Sequence, residues 1–159
     1  MTLIARILLV VLGALAAAPV AVRAADPVIS FAPDDAEMNA AIQKARDSLP
    51  LFWQQFRDRP AGVDGFSLKV GISDGETTEH FWTRDIVLSD GVISAVIDND
   101  PAVVTSVKLG QRIEISEPDI SDWLFLRNGK VVGAETLRVM MSRMSPEERA
   151  AVPFEFETP

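Results

Sequence analysis

FSLKVGISDGETTEHFWTRDIVL (residues 66–88) sets the architecture of this chain. In its first half Phe66, Leu68, Val70 and Ile72 alternate with Ser67, Lys69 and Gly71, the period-2 pattern of a half-buried strand. A short DGETT connection leads to EHFWTRDIVL (79–88), and SDG (89–91) leads on to VISAVI (92–97). Connections this short, carrying Asp-Gly, favour antiparallel hairpins. The same alternation puts Glu79, Phe81 and Thr83 on one face, and His80, Trp82 and Arg84 on the other. Glu79 and the chain's single histidine are therefore neighbours in sequence that point apart.

Working outward, DNDP (98–101) turns the chain, and AVVTSV after it reads as a short helix with Pro101 near its first turn. RIEIS (112–116) alternates again. EPDISDWLFL (117–126) carries the next strand, RNGK supplies an Asn128-Gly129 hairpin turn, and VVG follows. Upstream, DDAEMNAAIQKARDSL places Met38, Ala41, Ile42, Ala45 and Leu49 on one helical face, with Asp34 and Glu37 as a capping-box-like start. Pro50 should kink or restart this helix, while Phe52, Trp53 and Phe56 continue its apolar face. Glu135–Met144 is a second helix, apolar at Leu137, Met140, Met141 and Met144, and Ser145 with Glu148 signals another start. FEFETP reads as frayed or strand-like. The pattern predicts a single α+β domain: a twisted antiparallel sheet of about five or six strands with the long N-terminal helix and the C-terminal helix packed on it.

The first residues carry a different signal. Arg6 precedes an apolar run of twelve, Ile7–Ala18, then Pro19 and the small-residue pattern Val22-Arg23-Ala24. A membrane-spanning helix wants about 20 apolar residues. The expectation is a signal peptide over 1–24, an extended lead-in over 25–33, the domain over 34–152 and a tail over 153–159. Cleavage leaves 135 residues and moves the net charge from −8 to −10, because Arg6 and Arg23 leave with the leader. That implies a periplasmic or secreted protein with no stable membrane insertion after cleavage and no affinity for nucleic acid. Absence of cysteine removes disulfides, thiolate nucleophiles and Cys-based metal sites together.

Catalytic constellations are scarce. There is no G-x-S-x-G or S-x-x-K pattern, and one histidine among scattered acids fits no zinc spacing. DNDPAVVTSVKL begins like a calcium loop but has Pro101 early and Leu109 where the twelfth-position glutamate belongs. No metal, cofactor or catalytic residue is assigned. For a hydrolase, His80 would need an orienting acid, and Asp122 or Glu79 is the candidate. Trp53, Trp82 and Trp123 read first as core anchors, with Asp122 and Glu79 as buried acceptors. The alternative has Trp82, His80 and Asp122 lining one concave end of a curled sheet. The binding candidates are Glu79, His80, Trp82, Asp122 and Trp123.

The order F-x-x-K-V-x-x-x-D-G-E (66–76), E-H-x-W (79–82), D-G-x-I (90–93), D-N-x-P (98–101), G-x-x-I-x-I (110–115), I-x-D-W (120–123) and G-x-x-x-G-x-x-T (129–136) resembles the YegJ-like bacterial family, domain of unknown function 2314. The resemblance runs over roughly residues 35–144. It departs from the pattern at Ala95, and at Ala134 where a second glycine would follow Gly133. It implies a small α+β domain of bacteria, sometimes behind a signal peptide, and no established reaction. An acidic, cysteine-free, small domain with no nucleophile points to an exported noncatalytic binding protein with a protein or peptide partner in the cell envelope, inhibitor- or immunity-like in one form. A small hydrolase and a structural envelope protein are the alternatives.

Overall fold

The computed structural model describes residues 35–157. The expected signal peptide, the lead-in, Asp34 and the last two residues lie outside them. Six strands form one antiparallel sheet: β1 (Val63–Asp74), β2 (Thr77–Ser89), β3 (Val92–Ile97), β4 (Arg112–Ile115), β5 (Ile120–Arg127) and β6 (Lys130–Gly133), in the order β4-β3-β2-β1-β5-β6. The Asp90-Gly91 and Asn128-Gly129 pairs both have positive φ, the backbone of the two-residue hairpin turn their sequences announce. Phe66, Leu68, Val70, Phe81, Trp123 and Phe125 are buried on one side of the sheet, as the alternation requires.

Helices α1 (Ala36–Asp47) and α2 (Leu49–Asp58) cover that side. The break at Ser48 and the restart with Pro50 in the first turn of α2 follow from the missing proline amide. The apolar face runs through both helices, with Met38, Ala41, Ala45, Leu49, Phe52 and Trp53 buried. Capping differs by one residue from the expected box. Asp35, not Asp34, accepts the Met38 amide at 3.1 Å, and Arg143 grips Asp35 at 2.6 and 2.8 Å and Glu37 at 2.9 Å. Those Arg143 bonds hold the Asp35 carboxyl at about 2. Helix α3 (Glu135–Ser142) stops two residues before Met144, runs beside α1 and joins it through Lys44–Glu135 at 2.9 Å. The Ser145–Glu148 capping box forms as expected at α4 (Pro146–Ala150).

Two further segments depart from the sequence reading or sharpen it. AVVTSV is not helical: residues 98–111 form an irregular loop, because its first amides are drawn to a carboxylate from β2 instead of to the next turn. The C-terminal stretch is strand-like: Phe156 bridges Val131 in parallel, with Val131 N–H donating to Glu155 and Glu157 N–H to Val131, both at 2.8 Å. This covers the outer edge of β6, an arrangement that blunts edge-to-edge aggregation.

Candidate functional site

The sequence candidates divide between two faces. Glu79 is on the core face, 6 % exposed. Its carboxylate accepts the amides of Ala102 at 2.9 Å and of Val103 and Val104 at 3.1 Å. Burial alone would raise this carboxyl, but the three amide donors outweigh it and hold it below its usual range. Asp74 works on the same loop, accepting the Thr105 hydroxyl at 2.7 Å and the Thr105 amide at 3.1 Å. Asn99 Oδ1 accepts the Trp82 amide at 2.9 Å. The D-G-E, E-H-x-W and D-N-x-P segments thus clasp one another, and Glu79 has no oxygen to spare for chemistry.

Asp122 and Trp123 are equally committed. Trp123 packs in the core and donates its indole N–H to the Ala45 carbonyl at 2.8 Å. Asp122 is fully buried, and accepts the Thr136 hydroxyl at 2.6 Å and the amides of Thr136 at 2.8 Å and Glu135 at 3.1 Å. Ala134 stands at the start of α3 and offers no side-chain acceptor, so Asp122 caps that helix from a different element. Burial raises the Asp122 carboxyl, opposed by the Thr136 and Trp123 donors and by the Lys69 charge. Gly133 lies flat on Trp123: a Cβ there would sit 2.5 Å from the Trp123 carbonyl oxygen and 2.6 Å from its ring. The I-x-D-W and G-x-x-x-G-x-x-T motifs are two halves of one joint.

His80 and Trp82 remain, on the opposite face, with Lys69 beside them. Register pairs Lys69 with Trp82 and Gly71 with His80 across β1 and β2. The His80 ring crosses β1 over Gly71, where a Cβ would meet Cε1 at 3.2 Å, and its Nδ1 lies 2.8 Å from Ser121 Oγ on β5. Asp122 is therefore not the acid that orients His80. The sequence reading missed Ser121 because strand alternation assigns it to the Trp123 side. The register slips between Lys69 and Val70, which pair with Asp122 and Ile120, leaving Ser121 as the extra residue of a bulge. Its hydroxyl also contacts the Lys69 carbonyl at 3.2 Å, and the residue is 1 % exposed.

Lys69 is half-buried, its Nζ 3.1 Å from Thr136 Oγ1 and 5.6 Å from the Trp82 ring centre. Burial lowers this ammonium, and the nearby Asp122 carboxylate partly restores it. His80 is lowered from 6.5 by loss of solvent around the ring and then by the positive charges of Lys69 and Arg46. Arg46 is anchored beside them, with Nε and Nη2 donating at 3.0 Å to the carbonyls of Ile120 and Pro118. The arrangement is an imidazole and an indole beside two cations, and the hydroxyl that touches the imidazole is covered.

Residues 35–155 match the family described as uncharacterized protein conserved in bacteria (DUF2314), and the chain belongs to that family. It is 36 % identical over 123 residues to uncharacterized protein YegJ of Escherichia coli (strain K12), covering 77 % of this chain and 79 % of that one. It is 34 % identical over 123 residues to a putative ankyrin repeat protein of Neisseria meningitidis serogroup B, covering 72 % of this chain and 49 % of the relative. No solved structure matches it significantly.

Proposed function

We propose that this member of the family is an exported, noncatalytic binding protein that recognises a protein or peptide of the cell envelope through the Lys69–His80–Trp82 face, as an inhibitor- or immunity-type protein does. One observation carries the reading. Glu79, Asp122 and Trp123 are consumed in holding the fold, while Lys69, His80 and Trp82 gather on one face of adjacent strands with polar capacity left over. An aromatic flanked by a cation and an imidazole supports this reading, because such side chains are common anchors of recognition surfaces. Catalysis would need a nucleophile or an oriented base, and the hydroxyl that touches His80 is covered.

Residues 25–159 immobilised on a resin test this on an envelope extract. Wild type retains a discrete partner, and His80→Ala and Trp82→Ala each release it. Retention of the same partner by both variants would refute the site. Fractionation of cells making the full chain tests export, with residues 25–159 alone expected to stay in the cytoplasm. The Ser121–His80 contact favours a hydrolase as the second reading. That reading requires labelling of Ser121 by a fluorophosphonate probe, which a covered hydroxyl resists.

A further inference from the structure

Lys69 and Arg46 form a positive spot beside His80 on a chain whose net charge is −8. Lys69 and Arg46 are held by contacts that leave donors unused, and His80 by one that leaves its second ring nitrogen open. Lys69 Nζ makes one hydrogen bond among the described residues, to Thr136, and an ammonium has three protons to give. His80 spends Nδ1 on Ser121, and Nε2 has no hydrogen bond among the described residues. Arg46 spends Nε and Nη2 on carbonyl oxygens of residues 118 and 120, just before Ser121. No carboxylate closes an ion pair with any of the three among the described residues. The one acid registered against Lys69, Asp122, turns both oxygens to α3, Thr136 and the Trp123 amide. Trp82 supplies an apolar wall beside the ammonium.

We infer that this face binds an anionic oxygen group, a carboxylate or a phosphate, between Lys69 Nζ and His80 Nε2, with Arg46 at the rim and the Trp82 ring against the ligand's body. The inference rests on the binding reading above and deepens it, by naming the chemical group that the partner presents. Charge-assisted hydrogen bonds from an ammonium and an imidazole to such oxygens are the strong kind. An anion held there also offsets the repulsion that disfavours a proton on His80, so ligand binding and imidazole protonation reinforce each other.

The single histidine makes the test unambiguous. Residues 25–159, with no tag remaining, are titrated with glutarate and, separately, with inorganic phosphate in chloride buffer, following the His80 Cε1–H and Trp82 indole N–H resonances. Saturable shifts with at least one probe, and a higher His80 pKa when it is bound, support the site. The tighter probe then distinguishes carboxylate from phosphate recognition. Lys69→Met should weaken binding at least tenfold. Shifts that stay linear with both probes overturn the inference, as do shifts from binding that Lys69→Met leaves intact. The wild-type titration decides even where Lys69→Met fails to fold. A partner captured through His80 and Trp82 but not displaced by either probe would sink this inference and leave the binding reading standing. Saturable anion binding with no His80-dependent partner would do the reverse.

Discussion

Glu79→Gln keeps the shape of the side chain and removes its charge and one of its two acceptors. In the native clasp one oxygen takes the Ala102 amide at 2.9 Å, and the other takes Val103 and Val104 at 3.1 Å each. The best rotamer of glutamine keeps its carbonyl on the Val103–Val104 pair and turns an NH2 toward Ala102. Val104 is buried and Ala102 is exposed, so water rescues the orphaned amide in part. Hydrogen bonds to a charged group contribute about 1.5–3 kcal/mol, and the variant loses the charge from all of them. A destabilisation of about 2 kcal/mol follows, and Glu79→Ala should cost about 3 kcal/mol because the Val104 amide is then buried unpaired. Urea unfolding followed by tryptophan fluorescence reads this directly, as a midpoint lower by about 1–2 M for Glu79→Gln. Glu76→Gln, exposed on the same hairpin, is the control and should lie within about 0.5 kcal/mol of wild type. The pH dependence has a definite sign. The folded carboxyl is lowered from 4.5, so its contribution is fully present above that value and is lost as pH falls through the lower folded pKa. The gap between wild type and Glu79→Gln should therefore narrow on acidification. If Glu79→Gln unfolds with Glu76→Gln, or if the gap widens in acid, the clasp does not hold the loop.

Three other outcomes follow from the geometry. Gly133→Ala should lose about 3 kcal/mol or fail to fold, since a left-handed backbone at φ 80 and a Cβ driven into Trp123 act together; thermal unfolding checks it. Ala134→Gly should stay within about 1 kcal/mol of wild type in the same melt, because relief at φ 55 offsets the loss of a buried methyl. The fold disfavours a proton on His80, which therefore opposes stability as pH falls below 6.5; His80→Gln should remove that part of the decline while leaving stability at pH 8 unchanged within about 0.5 kcal/mol, measured by urea midpoints at pH 8 and again below 6.5.

The motifs were visible as strings, but their meaning lay in which string met which. I-x-D-W could be split by strand period into a core residue and an outward one, and Trp123 is indeed the core member. That Asp122 serves as the missing cap of α3 follows only when β5, β6 and the helix start are brought together. Ala134 reads in sequence as a mild departure from glycine, yet it carries a left-handed φ of 55, which an alanine takes at some cost. AVVTSV has no intrinsic pattern that forbids a helix, and it is denied one by a carboxylate some twenty residues upstream.

Periodicity and turn chemistry alone determined the strands of the hairpins, the covering helices, the restart at Pro50 and the separation of Glu79 from His80. These are local properties, fixed by the pleat of a strand, the pitch of a helix and the backbone freedom of Asp-Gly and Asn-Gly. Only the tertiary structure decided what His80 touches. A one-residue bulge at Ser121 turns that hydroxyl against the expected alternation, and a glycine at 71 lets the imidazole reach it across an intervening strand. Both depend on the register between strands distant in sequence, which is set by the packing of the whole sheet against its helices.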